Sequence, residues 1–203
     1  MPFETDPMLK LSDYGISLND GCDPTLTSRL VRALSSLPKQ LIVDCGINKL
    51  GFEDLGPSLE YYPNHGYYVN NRLVLNSQLV KDPTVYVDAS AGKKLDTFDF
   101  ILYHEMGHGW DEKKDLLSNK PEWLTLSGWA KDSDPGKVRL RIKDPEKDVV
   151  REGEWCYDPD AEFVRYYART NPWDDFADTF SFMVSGLYGF IPEKKKKYFE
   201  AIL

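Results

Sequence analysis

In this 203-residue chain the pentad His104-Glu105-Met106-Gly107-His108 contains two of the three histidines. On a helix, residues 104 and 108 stand one turn apart on the same face, so two imidazoles can converge on one metal ion. Glu105, beside the first of them, can reach a water bound to that ion and take its proton. Residue types in this pattern suit hydrolysis. The run leading into the pentad, with Phe98, Phe100, Ile101, Leu102 and Tyr103, is apolar, so the helix is expected to be buried. Unpartnered polar groups inside a protein cost on the order of a few kcal/mol each. A bound ion therefore accounts for the cluster better than two solvated surface histidines do.

A catalytic zinc site takes three protein ligands and keeps a position for water. No histidine follows the pentad closely, and His65, upstream, reads as a surface or hydrogen-bonded loop residue. The third ligand is therefore expected to be a carboxylate from the C-terminal part. There, Asn171-Pro172 reads as a cap followed by proline at the first helical position. The helix it opens, to about Leu187, carries Asp174, Asp175 and Asp178. Asp174 and Asp178 share a face, and Asp174 lies in the first turn, where the helix dipole favours the ionised form. Asp174 as ligand, with Asp178 orienting a ligating imidazole through its other ring nitrogen, is the expected arrangement. Asp175 is the alternative ligand.

The segment Tyr167–Phe180, YARTNPWDDFADTF, together with the HExxH pentad, resembles the zincin metallopeptidases of the anthrax lethal factor catalytic domain. More loosely, it is similar to the secreted bacterial Pro-Pro endopeptidases. The likeness covers the motif helix and residues 165–182. In that family a tyrosine and a Glu-x-x-x-Glu pair follow the motif helix. By position, Tyr167 corresponds to the tyrosine that polarises the scissile carbonyl, Asp174 to the third zinc ligand and Asp178 to the acid behind it. The resemblance implies an α+β, zincin-like fold, with a small twisted mixed sheet and the motif helix above a cleft and a helical lobe below. It implies a zinc-dependent endopeptidase holding one Zn²⁺ on His104, His108 and Asp174, with Glu105 as general base and Tyr167 as hydrogen-bond donor. Both family glutamates are aspartates here, one methylene shorter, so either the two helices sit closer together or Asp175 is the ligand. The stretch between His108 and Asp174 is longer than usual, which places an insertion at 111–157, and Pro-Pro specificity does not carry over. Two other readings stand beside the endopeptidase: a non-catalytic zincin-scaffold binding module, and a zinc amidase acting on a non-peptide amide such as a cell-wall crosslink.

Composition bounds the rest. A hydrophobic share of 41% supports a real core, and a net charge of -8 argues against nucleic acid as partner. The expected partner is a peptide or protein substrate. One domain is expected over 1–203, with 1–110 forming an upper lobe and 158–203 a C-terminal helical lobe. Cys22, Cys45 and Cys156 are read as three reduced thiols. No signal peptide or membrane span is visible, so the chain is expected to be soluble and monomeric, either cytoplasmic or a mature secreted form.

The elements that must position these groups follow from caps and periodicity. Asp23-Pro24 opens a helix to about Leu37, with Leu26, Leu30, Val31 and Leu34 inward. Gln40–Asp44 reads as a buried strand and 46–65 as loop. Gly66–Asn70 and Arg72–Asn76 read as a hairpin about Asn70-Asn71. Thr84–Asp88 reads as a strand along which substrate is expected to lie, with Lys93-Lys94 in a turn. Asp96 caps the motif helix, with Asp99 in its first turn, and the glycines at 107–109 are expected to end it. Pro121–Ser127 is read as a short helix with Trp123 and Trp129 packing inward, and Lys131–Glu154 as exposed, with a hairpin near Val138–Ile142. Glu162–Ala168 is read as helix. Phe176, Ala177, Phe180 and Val184 should form the inner face of the 171–187 helix, and Lys194–Lys197 a solvated face of a last helix from Pro192.

Overall fold

Asp23 caps the first helix as its sequence suggests. In the computed structural model, which describes residues 11–19, 22–56, 65–78, 85–88, 92–131, 137–144 and 149–203, its carboxylate accepts from the N–H groups of Thr25 and Leu26. Helix α1 then runs over Pro24–Ser35, with Leu26, Leu30 and Leu34 buried and Val31 half-buried. Lys39–Asp44 is a second helix, α2, where a strand was expected. The apolar run is too short for periodicity to decide. Helix wins because Pro38 restarts the chain at its N-cap and only Ile42 is buried, while Val43 faces solvent.

A four-stranded mixed sheet follows, ordered β1-β2-β4-β3. β1 is Ser17–Leu18, β2 Lys49–Glu53, β3 Gly66–Val69 and β4 Arg72–Asn76. β2 lies in the stretch read as loop. It is parallel to both β1 and β4, so its partners are remote in sequence and no local turn signals it. The β3–β4 hairpin turns on Asn70 and Asn71, both with positive φ (50° and 63°), a conformation asparagine tolerates. β5 (Val85–Asp88) and β6 (Lys93–Asp96) form a separate antiparallel pair. Lys93 and Lys94 thus belong to a strand rather than a turn.

Helix α3, Thr97–Lys113, starts on Asp96, whose carboxylate accepts from the N–H of Asp99. It passes straight through Gly107 and Gly109, against expectation. Those glycines serve close packing: a Cβ on Gly107 would lie 3.0 Å from Ala177 Cα, and one on Gly109 2.5 Å from the Cys45 carbonyl oxygen. α3 is buried on almost every side, packing on β3, β4 and a later helix, α5 (Pro172–Ser185). Phe98, Phe100, Leu102, Met106 and Trp110 meet Phe176, Phe180 and Phe182 of α5 in the main core.

Between them lie a 3₁₀ turn (Leu117–Asn119), helix α4 (Pro121–Ser127) and an antiparallel sheet of β7 (Trp129–Ala130), β9 (Val149–Tyr157) and β8 (Val138–Asp144). Trp123 joins the main core, whereas Trp129, Trp155 and Tyr157 form a smaller one against Phe163 and Trp173. Residues 162–166 are irregular and Tyr167–Arg169 form a 3₁₀ turn instead of the expected helix. Arg165 and Tyr167 both turn toward one site, and residues two apart on a helix could not do so. Helix α6 (Glu193–Ile202) closes the chain. Its Lys195 is fully buried, so the lysine run is not a uniformly solvated face. The fold is α+β, with six helices among the described residues. The three cysteines are free thiols, Cys45 and Cys156 buried and Cys22 half-buried. Among the described residues no helix is long and apolar enough to cross a membrane.

Candidate metal centre

Two helices build the site. α3 presents His104 and His108 one turn apart, and the first turn of α5 brings Asp174 to them. The Nε2 atoms of the histidines are 3.1 Å apart, and Asp174 Oδ1 lies 3.6 Å from His104 Nε2 and 3.5 Å from His108 Nε2. Donors on a tetrahedral ion with bonds of about 2.0–2.1 Å stand about 3.3–3.4 Å from one another. The three atoms therefore already sit near the spacing of one tetrahedral face, and the group could hold a metal ion. Gly107 lets the α5 backbone approach α3 closely at Ala177, in the helix that carries Asp174.

Two of the three donors are themselves held. Asp174 accepts at Oδ2 from the Asn171 side chain (2.6 Å), which leaves Oδ1 for the imidazoles. Asn171 also accepts from the Asp174 N–H as the α5 cap. Asp178 Oδ1 lies 2.7 Å from His104 Nδ1. An ionised carboxylate only accepts, so the proton sits on Nδ1 and Nε2 is turned to the ligand face. Asp178 is fully buried, and Arg165 grips it through two N–H groups at 2.7 and 2.8 Å. The guanidinium also lies 4.4 Å from the Phe100 ring centre and 4.9 Å from that of Tyr167. Arg165 is the member of the site that sequence reasoning missed. It belongs to no motif, and only the buried charge on Asp178 calls for it.

The electrostatics follow from this packing. Burial alone would push the His104 imidazole down, but Asp178, Asp174 and Glu105 carry it up to about 10. Burial opposes ionisation of Asp174, yet hydrogen bonding to the two imidazoles holds its carboxyl below the usual range. Asp178 is likewise lowered against burial, by Arg165 first and His104 next. Glu105 is raised by burial, with the imidazoles opposing. Tyr167 is raised by burial and by the charges of Asp174 and Asp178, so it stays a phenol.

Asp175 goes elsewhere: its carboxylate meets Lys195 at 2.6 Å and Trp129 Nε1 at 3.0 Å. Asp175, the alternative ligand, is not among the metal-capable group. His65 is not among the metal-capable group; its carbonyl accepts from the Asn76 N–H. The ligand face opens on a cleft of about 350 Å³, lined also by Glu105, Tyr167, Trp173 and residues 66–68. Among the described residues the strand at its wall is β3, at the end of the four-stranded sheet; Thr84, where the expected substrate strand begins, lies outside the described residues. Asp111 also lines the cleft but is engaged by the N–H and hydroxyl of Ser118, a structural role. In comparisons with known proteins, no family model matches the chain, and no curated protein or solved structure matches it either.

Proposed function

We propose that this protein is a zinc-dependent peptidase. One observation carries the reading: three donor atoms near tetrahedral spacing, with Glu105 beside them on the wall of an open cleft. His104, His108 and Asp174 would hold the ion, and two imidazoles with a carboxylate are a donor set that zinc takes in catalytic sites. When bound, zinc supplies Lewis acidity, which brings the pKa of water toward 7 and polarises a carbonyl. The remaining work falls to the chain's own residues. Glu105 takes the proton of the attacking water and delivers it to the leaving nitrogen. Its raised pKa brings its basicity nearer to neutral pH, where such transfers are efficient. Tyr167 keeps its proton and can donate a hydrogen bond to the oxyanion as it develops, a contribution worth about 3 kcal/mol in comparable sites. Asp178 fixes the ring of His104 while Arg165 fixes Asp178.

The wall of the cleft favours a peptide over an isolated amide. β3 pairs with β4 on one side and, among the described residues, is the last strand in its sheet. An extended chain can add to such an edge through its main chain. The likeness of the 167–180 segment to lethal factor-like zincins points the same way. Digestion of a peptide library by the zinc-loaded protein and by Glu105→Gln tests the reading. The variant should keep one zinc per chain and lose about 10²–10⁴-fold in turnover. Equal turnover would remove Glu105 from the reaction, and a wild-type protein that cleaves no peptide would overturn the assignment.

A further inference from the structure

Lys195 and Asp175 form an ion pair with both side chains fully out of solvent, their charged atoms 2.6 Å apart. Trp129 donates to the other oxygen of Asp175 at 3.0 Å. The ammonium lies 4.5 Å from the ring centre of Phe163 and 5.5 Å from that of Trp123. None of these groups lines the cleft. Burying both charges costs so much desolvation that such a pair contributes little net stability, whereas its geometry is strongly directional. Asp175 is the residue after the ligand Asp174, about 100° further round α5.

We propose that Lys195 is a positioning residue for the metal centre: by anchoring Asp175 it sets the rotation of α5 and hence the place of the Asp174 ligand oxygen. The inference rests on the reading of Asp174 as a metal ligand. An oxygen about 5 Å from the helix axis moves about 0.9 Å for each 10° of rotation. Metal–ligand distances tolerate only about 0.2 Å. Small rotations therefore matter. The Asn171 cap cannot prevent them, because it belongs to α5 and turns with it. Arg165 approaches Asp178 from the irregular segment that leads directly into α5. Apolar packing of Phe176 and Phe180 resists separation but is non-directional. Asp178 on His104 and the Ser181 hydroxyl on the Phe100 carbonyl tie one face of α5 to α3; the tie to Lys195 adds a hold from a different helix, and the tie to Trp129 one from a different sheet.

The test is the zinc dissociation constant of the full chain, measured by competition with a chromophoric chelator, alongside the thermal midpoint of the chelated protein. The neutral double variant Asp175→Asn with Lys195→Met should keep a midpoint close to wild type yet bind zinc at least about tenfold more weakly. Equal affinity in that folded variant would overturn the role of Lys195. Should the double variant not fold, Lys195→Met alone takes its place, Asp175 keeping the Trp129 hydrogen bond: weaker zinc binding is expected, and unchanged binding would overturn the proposal. A wild-type chain that binds no zinc would remove the metal reading itself and the proposal with it. Tight wild-type binding matched by the variant removes only the positioning role.

Discussion

Asp174 and Asp175 are adjacent, chemically identical and both buried, yet the fold uses them in opposite ways. Asp174 faces two imidazoles at the edge of a cleft, and they hold its carboxyl below the usual range. Asp175 faces a lysine in an aromatic enclosure, and burial pushes its pKa up despite that partner. One residue of helical rotation separates a group poised to bind an ion from a group already satisfied by a protein cation. What a carboxylate can do is thus decided by what the neighbouring elements aim at it rather than by its type.

Substitution at the two positions should break the comparison in opposite directions. Asp175→Ala strands the Lys195 charge, and removing one partner of a buried pair costs about 3–5 kcal/mol. Asp174→Ala should cost the chelated protein less stability than that and abolish tight metal binding. Denaturant melts and metal titrations of both variants check this; equal losses of stability would erase the distinction. A smaller effect is expected at Asp178. Asp178→Asn weakens the hold on His104 and should cost about 10–100-fold in metal affinity, as outer partners of ligating histidines do. Wild-type affinity in that variant would show that His104 needs no orientation.

The pH response sharpens the comparison further. In the chelated protein the His104 pKa is raised to about 10, above the value of about 6.5 for an unfolded chain. Its contribution to stability is therefore complete below pH ~6.5 and is lost as pH rises through about 10. Metal must displace that same proton, so metal affinity should rise over the window in which the stability of the chelated protein falls. Thermal midpoints of the chelated protein and zinc affinities measured between pH 6.5 and 10 should show these opposite slopes, the midpoints falling while binding tightens. Parallel slopes would mean that His104 is not where the ion and the proton compete.

How much of this could be read beforehand depends on the range of the signal. The pentad, the Asp23, Asp96 and Asn171 caps and the Asn70-Asn71 turn act within a few residues, and each appears in the structure where the sequence places it. Gly107 and Gly109 misled, because glycine at a helix end and glycine at a helix crossing look alike until the neighbour at Ala177 or Cys45 is known. β2 was hidden because both its partners are parallel and remote. Arg165 and Lys195 are two of 25 basic residues, and nothing local separates a buried guanidinium or ammonium from a solvated one. The unpaired charges on Asp178 and Asp175 were the available clue. Two carboxylates buried on one helix demand cations from somewhere, and those cations prove to be the residues that sequence reasoning passed over.

X-ray absorption at the zinc edge of the purified, zinc-loaded protein tests the central claim most directly. We expect one ion per chain, imidazole scattering from two histidines and only nitrogen and oxygen ligands at about 2.0–2.1 Å. A sulfur shell at about 2.3 Å would place the ion on the cysteines and contradict the account. Loss of the imidazole signal in the wild-type protein would do the same.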